Sequence, residues 1–185
     1  MEYPVRRGEL LNFVGVVQRD DWRIESWSST GSRQQLEADF RGWQDDVQIL
    51  IGTVPDPHIW ALTIHRPLPQ WSVDHVALIG DACHPTLPFL GQGATMAVED
   101  GLVLARAMKA HGADIAGGLS AYEAARKERT SRLVAAAAEN TKRITNPIFA
   151  DADAAHEYLD REFAEIKMSE RLDWVYSYDA ANVVL

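Results

Sequence analysis

Residues 76–108, VALIGDACHPTLPFLGQGATMAVEDGLVLARAM, constrain this chain more than any other stretch. Four apolar residues, Val76 to Ile79, run without a spacer into Gly80-Asp81. That start predicts a short, buried strand ending on an acid. A loop follows that holds Pro85, Pro88, Gly91 and Gly93, and from Gly93 to about Ala110 the apolar spacing becomes helical. Glycines at a helix start leave backbone N–H groups open, and the helix dipole adds partial positive charge there. The prolines stiffen the loop, so the site is expected to be preformed. An acid at the strand end, beside such a loop, suits the hydroxyls of a sugar or polyol. The strand–loop–helix unit therefore predicts a ligand with both a polyol and an electron-rich ring edge.

The rest of the chain supplies a frame for this unit. Tyr3 to Arg6 and Leu10 to Gln18 are predicted as a strand pair around a turn at Arg7-Gly8-Glu9. Trp22 to Trp27 reads as a further strand. Ser32 stands three residues before Gln35, the spacing of a capping box, and predicts a helix over 33–42. A second helix is expected over 45–51, with Asp45 and Asp46 at its positive end, before Pro55 and Pro57. The alternation of His58 to His65 predicts a strand, broken by Pro67 and Pro69. Gly117-Gly118 reads as punctuation, with Ser120 capping a long helix to about Arg143 and Pro147 stopping it. Six Lys/Arg face three acids along that helix, whereas the segment 151–173 carries eight acids against Arg161, Lys167 and Arg171. One or two helices are expected there, docked by charge on the basic face. The end, Asn182-Val183-Val184-Leu185, is too apolar for a solvated tail.

Composition bounds the function. The 185 residues are 46% hydrophobic and 24% charged, an ordinary globular balance that excludes a disordered chain. A net charge of −9 argues against broad nucleic-acid binding. The single cysteine, Cys83, excludes an internal disulfide framework and a Cys-cluster metal site. His58, His65, His75, His111 and His156 lack ligand spacing, so no metal is expected. The start Met1-Glu2-Tyr3-Pro4 has no basic or apolar leader region, and no apolar run nears the ~20 residues of a membrane span, so a cytoplasmic setting is expected.

The motif around Asp81 resembles the flavin-binding segment of single-component FAD-dependent aromatic hydroxylases. Its pattern stands here as Gly80-Asp81-Ala82-Cys83-His84, Pro85, Pro88, Gly91-Gln92-Gly93 and Glu99-Asp100. The variant HPTLPFLGQGATMAVEDG is most similar to the branch of salicylate, 3-hydroxybenzoate and 6-hydroxynicotinate hydroxylases. The opening YPVRRGELLNFVGVV, the run Tyr122-x3-Arg126-x2-Arg129 and the tail Asp173-Trp174 to Tyr178-Asp179 resemble the same branch, so the likeness covers nearly the whole chain. The fold class implied is α+β or α/β. It is a partial flavin-monooxygenase fold, with a substrate-domain sheet remnant over 1–72, the flavin segment and long helix over 73–145, and a helical tail over 146–185.

The resemblance also assigns roles. Asp81 would hydrogen-bond the ribityl chain of FAD with help from the Gly80 backbone. Pro88 would lie along the isoalloxazine ring near the reacting carbon. Gly91, Gln92, Gly93, Ala94 and Thr95 would meet the pyrimidine edge. Leu87, Phe89 and Leu90 would wall the aromatic substrate, with Tyr3 facing it from the sheet, and His84 is a candidate base. The implied reaction hydroxylates a small aromatic acid or phenol, with NADH or NADPH and O2 as co-substrates and a dry pocket supplied by the protein. One element of the family is missing from the sequence. The only G-x-G is Gly91-Gln92-Gly93, and the G-x-G-x-x-G that holds the pyrophosphate of FAD does not occur. The expectation is thus the C-terminal portion of such an enzyme, working alone, as a non-catalytic remnant, or with a second chain supplying the N-terminal FAD-binding half. The plain alternatives are a structural His84, a packed Cys83 thiol, Glu99-Asp100 as helix structure or a tie to a neighbouring strand, and Arg126 and Arg129 in interdomain or internal salt bridges.

Overall fold

The structure, a computed structural model, describes residues 1–18 and 28–185. It is a mixed helix and small-sheet chain that forms two compact units, Met1–Leu62 and Thr63–Leu185. The strand expected over 22–27 lies outside the described residues.

In the first unit β1 (Glu2–Val5) and β2 (Leu10–Phe13) form an antiparallel hairpin, in register from Glu2 opposite Phe13 to Val5 opposite Leu10. A 3-10 turn, Arg6–Gly8, joins them with Arg6, Arg7 and Gly8 all at positive φ. The second strand is shorter than its sequence predicts. The ladder closes where Met1 exchanges hydrogen bonds with Val14 at 3.0 and 2.9 Å, and among the described residues none stands opposite 15–18. Helix α1 (Arg33–Asp39) begins as expected, with Ser32 Oγ accepting from the Gln35 N–H at 3.1 Å. Helix α2 (Asp45–Thr53) carries Asp45 and Asp46 in its first turn. Ile51 and Phe40 are buried, and the Phe40 ring meets Phe13 and Trp43 edge-on at 5.8 and 5.1 Å.

The segment 58–65 is extended but is not a strand. Among the described residues only His58 bridges, to Thr30, and Trp60, Leu62 and Ile64 stay 38–48% exposed. Alternation licenses an extended backbone; a ladder also needs an edge to pair with. Among the described residues none lies opposite 60–65, and the flanking prolines remove donors.

The second unit opens on a two-residue ladder, β3 (Ser72–Val73) with β4 (Val76–Ala77). The buried four-residue strand expected over 76–79 is therefore cut to two residues, with Val76 70% and Ile79 41% exposed. One short partner on one side cannot cover an all-apolar strand. Helix α3 (Gly93–His111) then turns back against α4 (Ile115–Ile144). The cap of α4 is Asp114, which accepts from the Gly117 N–H at 2.9 Å, not Ser120. Gly117 and Gly118 thus sit inside the first turn. Gly118 is buried, and a Cβ there would stand 3.4 and 3.5 Å from the Met108 Cα and the Ala107 carbonyl and press on the Met108 thioether, so the α3 backbone passes close to α4 at this residue.

Val103 and Ala107 of α3, Tyr122 of α4, Trp71, Cys83 and Ala180 form one core, and Met96, Leu133 and Val175 form a second. Helices α5 (Ala152–Glu162) and α6 (Glu165–Tyr176) follow the turn at Pro147. The tail is not docked by opposite charge. Arg129 of α4 donates to the carbonyls of Trp174 and Val175, and Arg132 lies 3.8 Å over the Trp174 ring. Of the tail acids, Glu162 is satisfied locally by Lys167 and Arg171. The apolar C-terminus is held by Arg106, whose guanidinium donates to the Ala180 and Val183 carbonyls at 2.8 and 2.9 Å.

Candidate functional site

The strand end at β4 turns sharply at Gly80. Its φ of 60° is a left-handed conformation that glycine adopts without penalty, and a Cβ there would press on Ala97 of α3 at 3.3 Å. A 3-10 turn, Gly80–Ala82, follows, and the N–H groups of Cys83 and His84 both donate to the Gly80 carbonyl at 3.0 Å. Asp81 is exposed. A second 3-10 turn, Pro88–Leu90, ends on Gly91 at φ 63°. Gln92 is the residue before α3, yet no side chain caps the helix; the buried Gln92 amide turns back to the Leu90 carbonyl at 3.4 Å. The first-turn N–H groups of α3 thus lack a side-chain acceptor, as an anion-accepting helix end requires.

These parts surround one cleft of about 670 Å³, lined by Ile79, Gly80, Asp81, Thr86, Pro88, Gly91, Gly93, Ala94 and Ala97. That volume lies in the range of small-molecule and cofactor sites. Gly80, Asp81, Pro88, Gly91, Gly93 and Ala94 of the expected cofactor contacts are on its wall; Gln92 and Thr95 are not. Leu87, Phe89 and Leu90 are half-buried beside it without lining it, and the Phe89 carbonyl is held by Asn140 Nδ2 at 2.8 Å. Tyr3 lies on β1 of the first unit, 45% exposed. Ile79, Thr86 and Ala97 line the cleft without having been singled out from sequence. Ala97 had a signal, since it stands one helical turn after Gly93 and Ala94; Thr86 had none.

His84 does not line the cleft. It is buried, and borders a separate cavity of about 10 Å³ with His65, Trp71, Cys83 and Ser131, a volume near that of one water. Its Nε2 lies 2.6 Å from Asp100 Oδ2. The same Oδ2 accepts from the Gly80 N–H at 3.0 Å, and Oδ1 accepts from Arg126 Nε at 2.7 Å. Asp100 and Arg126 are fully buried, and Arg126 also reaches Glu99 Oε2 at 2.7 Å and the Met96 carbonyl. Arg129 pairs with both oxygens of Glu99 and stacks 3.8 Å over the Tyr178 ring. The Cys83 thiol donates to the Gly80 carbonyl at 3.3 Å. Cys83, His84 and Asp100 bring a thiol, an imidazole and a carboxylate within 4.8 Å of one another, but both carboxylate oxygens already hold donors, which leaves a poor site for a metal.

Burial alone would push the His84 imidazole down, but the hydrogen bond to Asp100, then the Cys83 contact, lift it to about 9. Burial pushes Asp100 up, and the donors His84, Arg126 and the Gly80 N–H outweigh it, holding the carboxyl below its ordinary range. Tyr122, whose hydroxyl donates to the Leu78 carbonyl, is raised by burial and then by the Asp100 charge. A pH prediction follows from His84. The folded chain holds its proton more tightly than the unfolded chain does. Its contribution is therefore complete below pH 6.5 and is lost as the pH rises through about 9. Chemical denaturation across that window is expected to show a fall on the order of 3 kcal/mol. The fall should be absent in His84→Gln; an equal fall in that variant removes His84 as its source.

Residues 3–137 match the family described as FAD binding domain. The chain is 35% identical to 3-amino-4-hydroxybenzoate 2-monooxygenase PtnB3 of Streptomyces platensis, over 98% of this chain and 45% of that one. It is 34% identical to 6-hydroxynicotinate 3-monooxygenase of Pseudomonas fluorescens, over 97% of this chain and 41% of that one. Among solved structures it superposes on a salicylate hydroxylase substrate complex with a TM-score of 0.70 at 26% identity, covering 97% of this chain and 44% of the other. With Klebsiella pneumoniae HpxO complexed with FAD and uric acid the TM-score is 0.64 at 31% identity, over 78% and 38%. The chain thus spans less than half the length of these relatives.

Proposed function

This chain belongs to the FAD-binding-domain family, and from that premise we propose that its cleft holds the ribityl chain and ring edge of FAD in the hydroxylation of a small aromatic acid or phenol. One observation carries the reading. An exposed acid in the 3-10 turn after β4 and the uncapped N-terminus of a 19-residue helix face one cleft of cofactor size. The residues fit the group. Asp81 offers a carboxylate to ribityl hydroxyls, the α3 N-terminus offers N–H groups and positive potential to the electron-rich pyrimidine edge, and the space beside Gly91 is open to 4 Å. Pro88 gives the ring a rigid apolar face. Leu87, Phe89 and Leu90 are the side chains proposed for the aromatic substrate. FAD supplies the two-electron and O2 chemistry. Inserting one atom of O2 and reducing the other to water consumes two electrons from outside, for which NADH or NADPH is the proposed donor.

The relatives' names support the substrate class: aminohydroxybenzoate, hydroxynicotinate and salicylate are small aromatic acids with an electron-donating ring hydroxyl. Among the described residues no helix is long and apolar enough to cross a membrane, and a cytoplasmic site of action is proposed. A second reading has its own support. Val76, Ile79, Val98 and Leu102 leave apolar surface exposed, and the pyrophosphate-binding G-x-G-x-x-G is not in these 185 residues. A partner chain carrying a dinucleotide-binding half would cover that surface and supply that motif. Titration of the purified chain with FAD, followed by flavin fluorescence and the visible spectrum, separates the readings. Binding below about 100 μM by the chain alone supports the first. Binding that requires an added dinucleotide-binding half supports the second. No binding in either arrangement overturns the assignment of FAD to the cleft.

A further inference from the structure

We infer that Asp100, which does not itself line the cleft, is a positioning residue that aims Asp81 by fixing the Gly80 peptide. The inference rests on the FAD reading of the cleft and concerns how its two walls are held together. Gly80 is gripped at both ends. Its N–H donates to Asp100 Oδ2 at 3.0 Å, while its carbonyl accepts from the Cys83 and His84 N–H groups at 3.0 Å and from the Cys83 thiol. The His84 ring then returns to the same Asp100 oxygen at 2.6 Å. Gly80, His84 and Asp100 thus close a ring of hydrogen bonds directly behind Asp81. Such a ring fixes the left-handed backbone of Gly80, and with it the direction in which the next residue leaves the strand.

The anchor of this ring cannot drift. Asp100 is fully buried, and its other oxygen is held by Arg126 Nε of α4 at 2.7 Å. Asp100 also belongs to α3, the helix whose first turns line the cleft beside Gly80 and Asp81. One rigid element therefore supplies the helix N-terminus directly and, from further along its length, sets Asp81 indirectly. The spacing between the acid and the helix end is fixed by a single helix, as a cleft preorganised for one ligand requires. A carboxylate placed only for stability has no need to meet the strand-end N–H.

A double-mutant cycle on FAD binding tests the inference. Asp100→Asn keeps size but removes one acceptor, and is expected to weaken FAD binding about tenfold in the parent. In an Asp81→Ala background the same change is expected to weaken binding less than about twofold, because the residue being aimed is gone. Val103→Ala, another fully buried residue of α3 outside the network, controls for lost stability and is expected to leave affinity unchanged while lowering the melting temperature. An equal loss in both backgrounds, or none in the parent, overturns the positioning role while leaving FAD in the cleft. The cycle is run in whichever arrangement binds FAD, the chain alone or with an added dinucleotide-binding half; a parent that binds in neither fails earlier and removes the underlying reading as well. If Asp100→Asn does not fold, His84→Ala opens the same ring at another corner, spares the Asp100–Arg126 pair, and is judged by the same criterion.

Discussion

In FAD titrations Asp81→Ala is expected to raise the dissociation constant by about 10- to 100-fold, the worth of one lost hydrogen bond to a charged group. The size of the effect follows from where Asp81 sits. It is exposed on the cleft wall, and the backbone behind it is fixed by Gly80 and cannot compensate. Because it is exposed, its removal should leave the fold nearly untouched. Melting temperature and affinity should therefore separate in this variant, whereas they move together when a core residue is changed. Asp81→Asn keeps one acceptor and is expected to lose less than Asp81→Ala. An unchanged dissociation constant in Asp81→Ala, measured on a chain that binds FAD, would remove Asp81 from the cofactor site.

The parts legible in the sequence were those written in local chemistry. Ser32 and Gln35 stand at capping distance, and the cap forms. Gly80-Asp81, the two prolines and Gly91-Gln92-Gly93 are contiguous, so the turn, loop and helix start could be placed from spacing alone. Asp114 was missed as a cap because Gly117-Gly118 mimics a break; glycine there serves the close crossing of α3 and α4, which is a tertiary fact. Residues 58–65 find a partner, among the described residues, only at His58. Their alternation is real, but alternation says nothing about whether an edge is available to pair with. The charge contrast between 120–143 and 151–173 suggested docking by opposite charge, yet the helices meet through carbonyls and rings because Arg126 and Arg129 are taken by Glu99 and Asp100. That the two arginines make internal bridges was readable; that Glu99 and Asp100 tie to a helix and a turn rather than to a strand, in one network closed through His84 and Gly80, depended on contacts across 16 to 30 residues.

That network yields the largest stability effect expected in the chain. Arg126→Ala removes a fully buried cation and strands the Asp100 carboxylate, also fully buried, with His84 and one N–H as its remaining donors. Breaking a buried pair in this way costs about 3–5 kcal/mol. For a chain of this size the melting temperature should fall by about 10 °C. The exposed Lys142–Glu139 pair on the same helix marks the contrast: Lys142→Ala is expected to cost under about 1 kcal/mol. A double change, Arg126→Met with Asp100→Asn, leaves no uncompensated charge once His84, without the carboxylate that raises it, gives up its proton, and is expected to recover part of the loss. That recovery would be of stability only. The Asp100→Asn half of the pair does not give Gly80 and His84 back a charged acceptor, so affinity for FAD should stay low while the melting temperature rises. Thermal melts of the three variants decide this. A fall of less than about 1 kcal/mol for Arg126→Ala, or a double variant less stable than the single, would show that the buried pair does not hold the helices as its geometry implies.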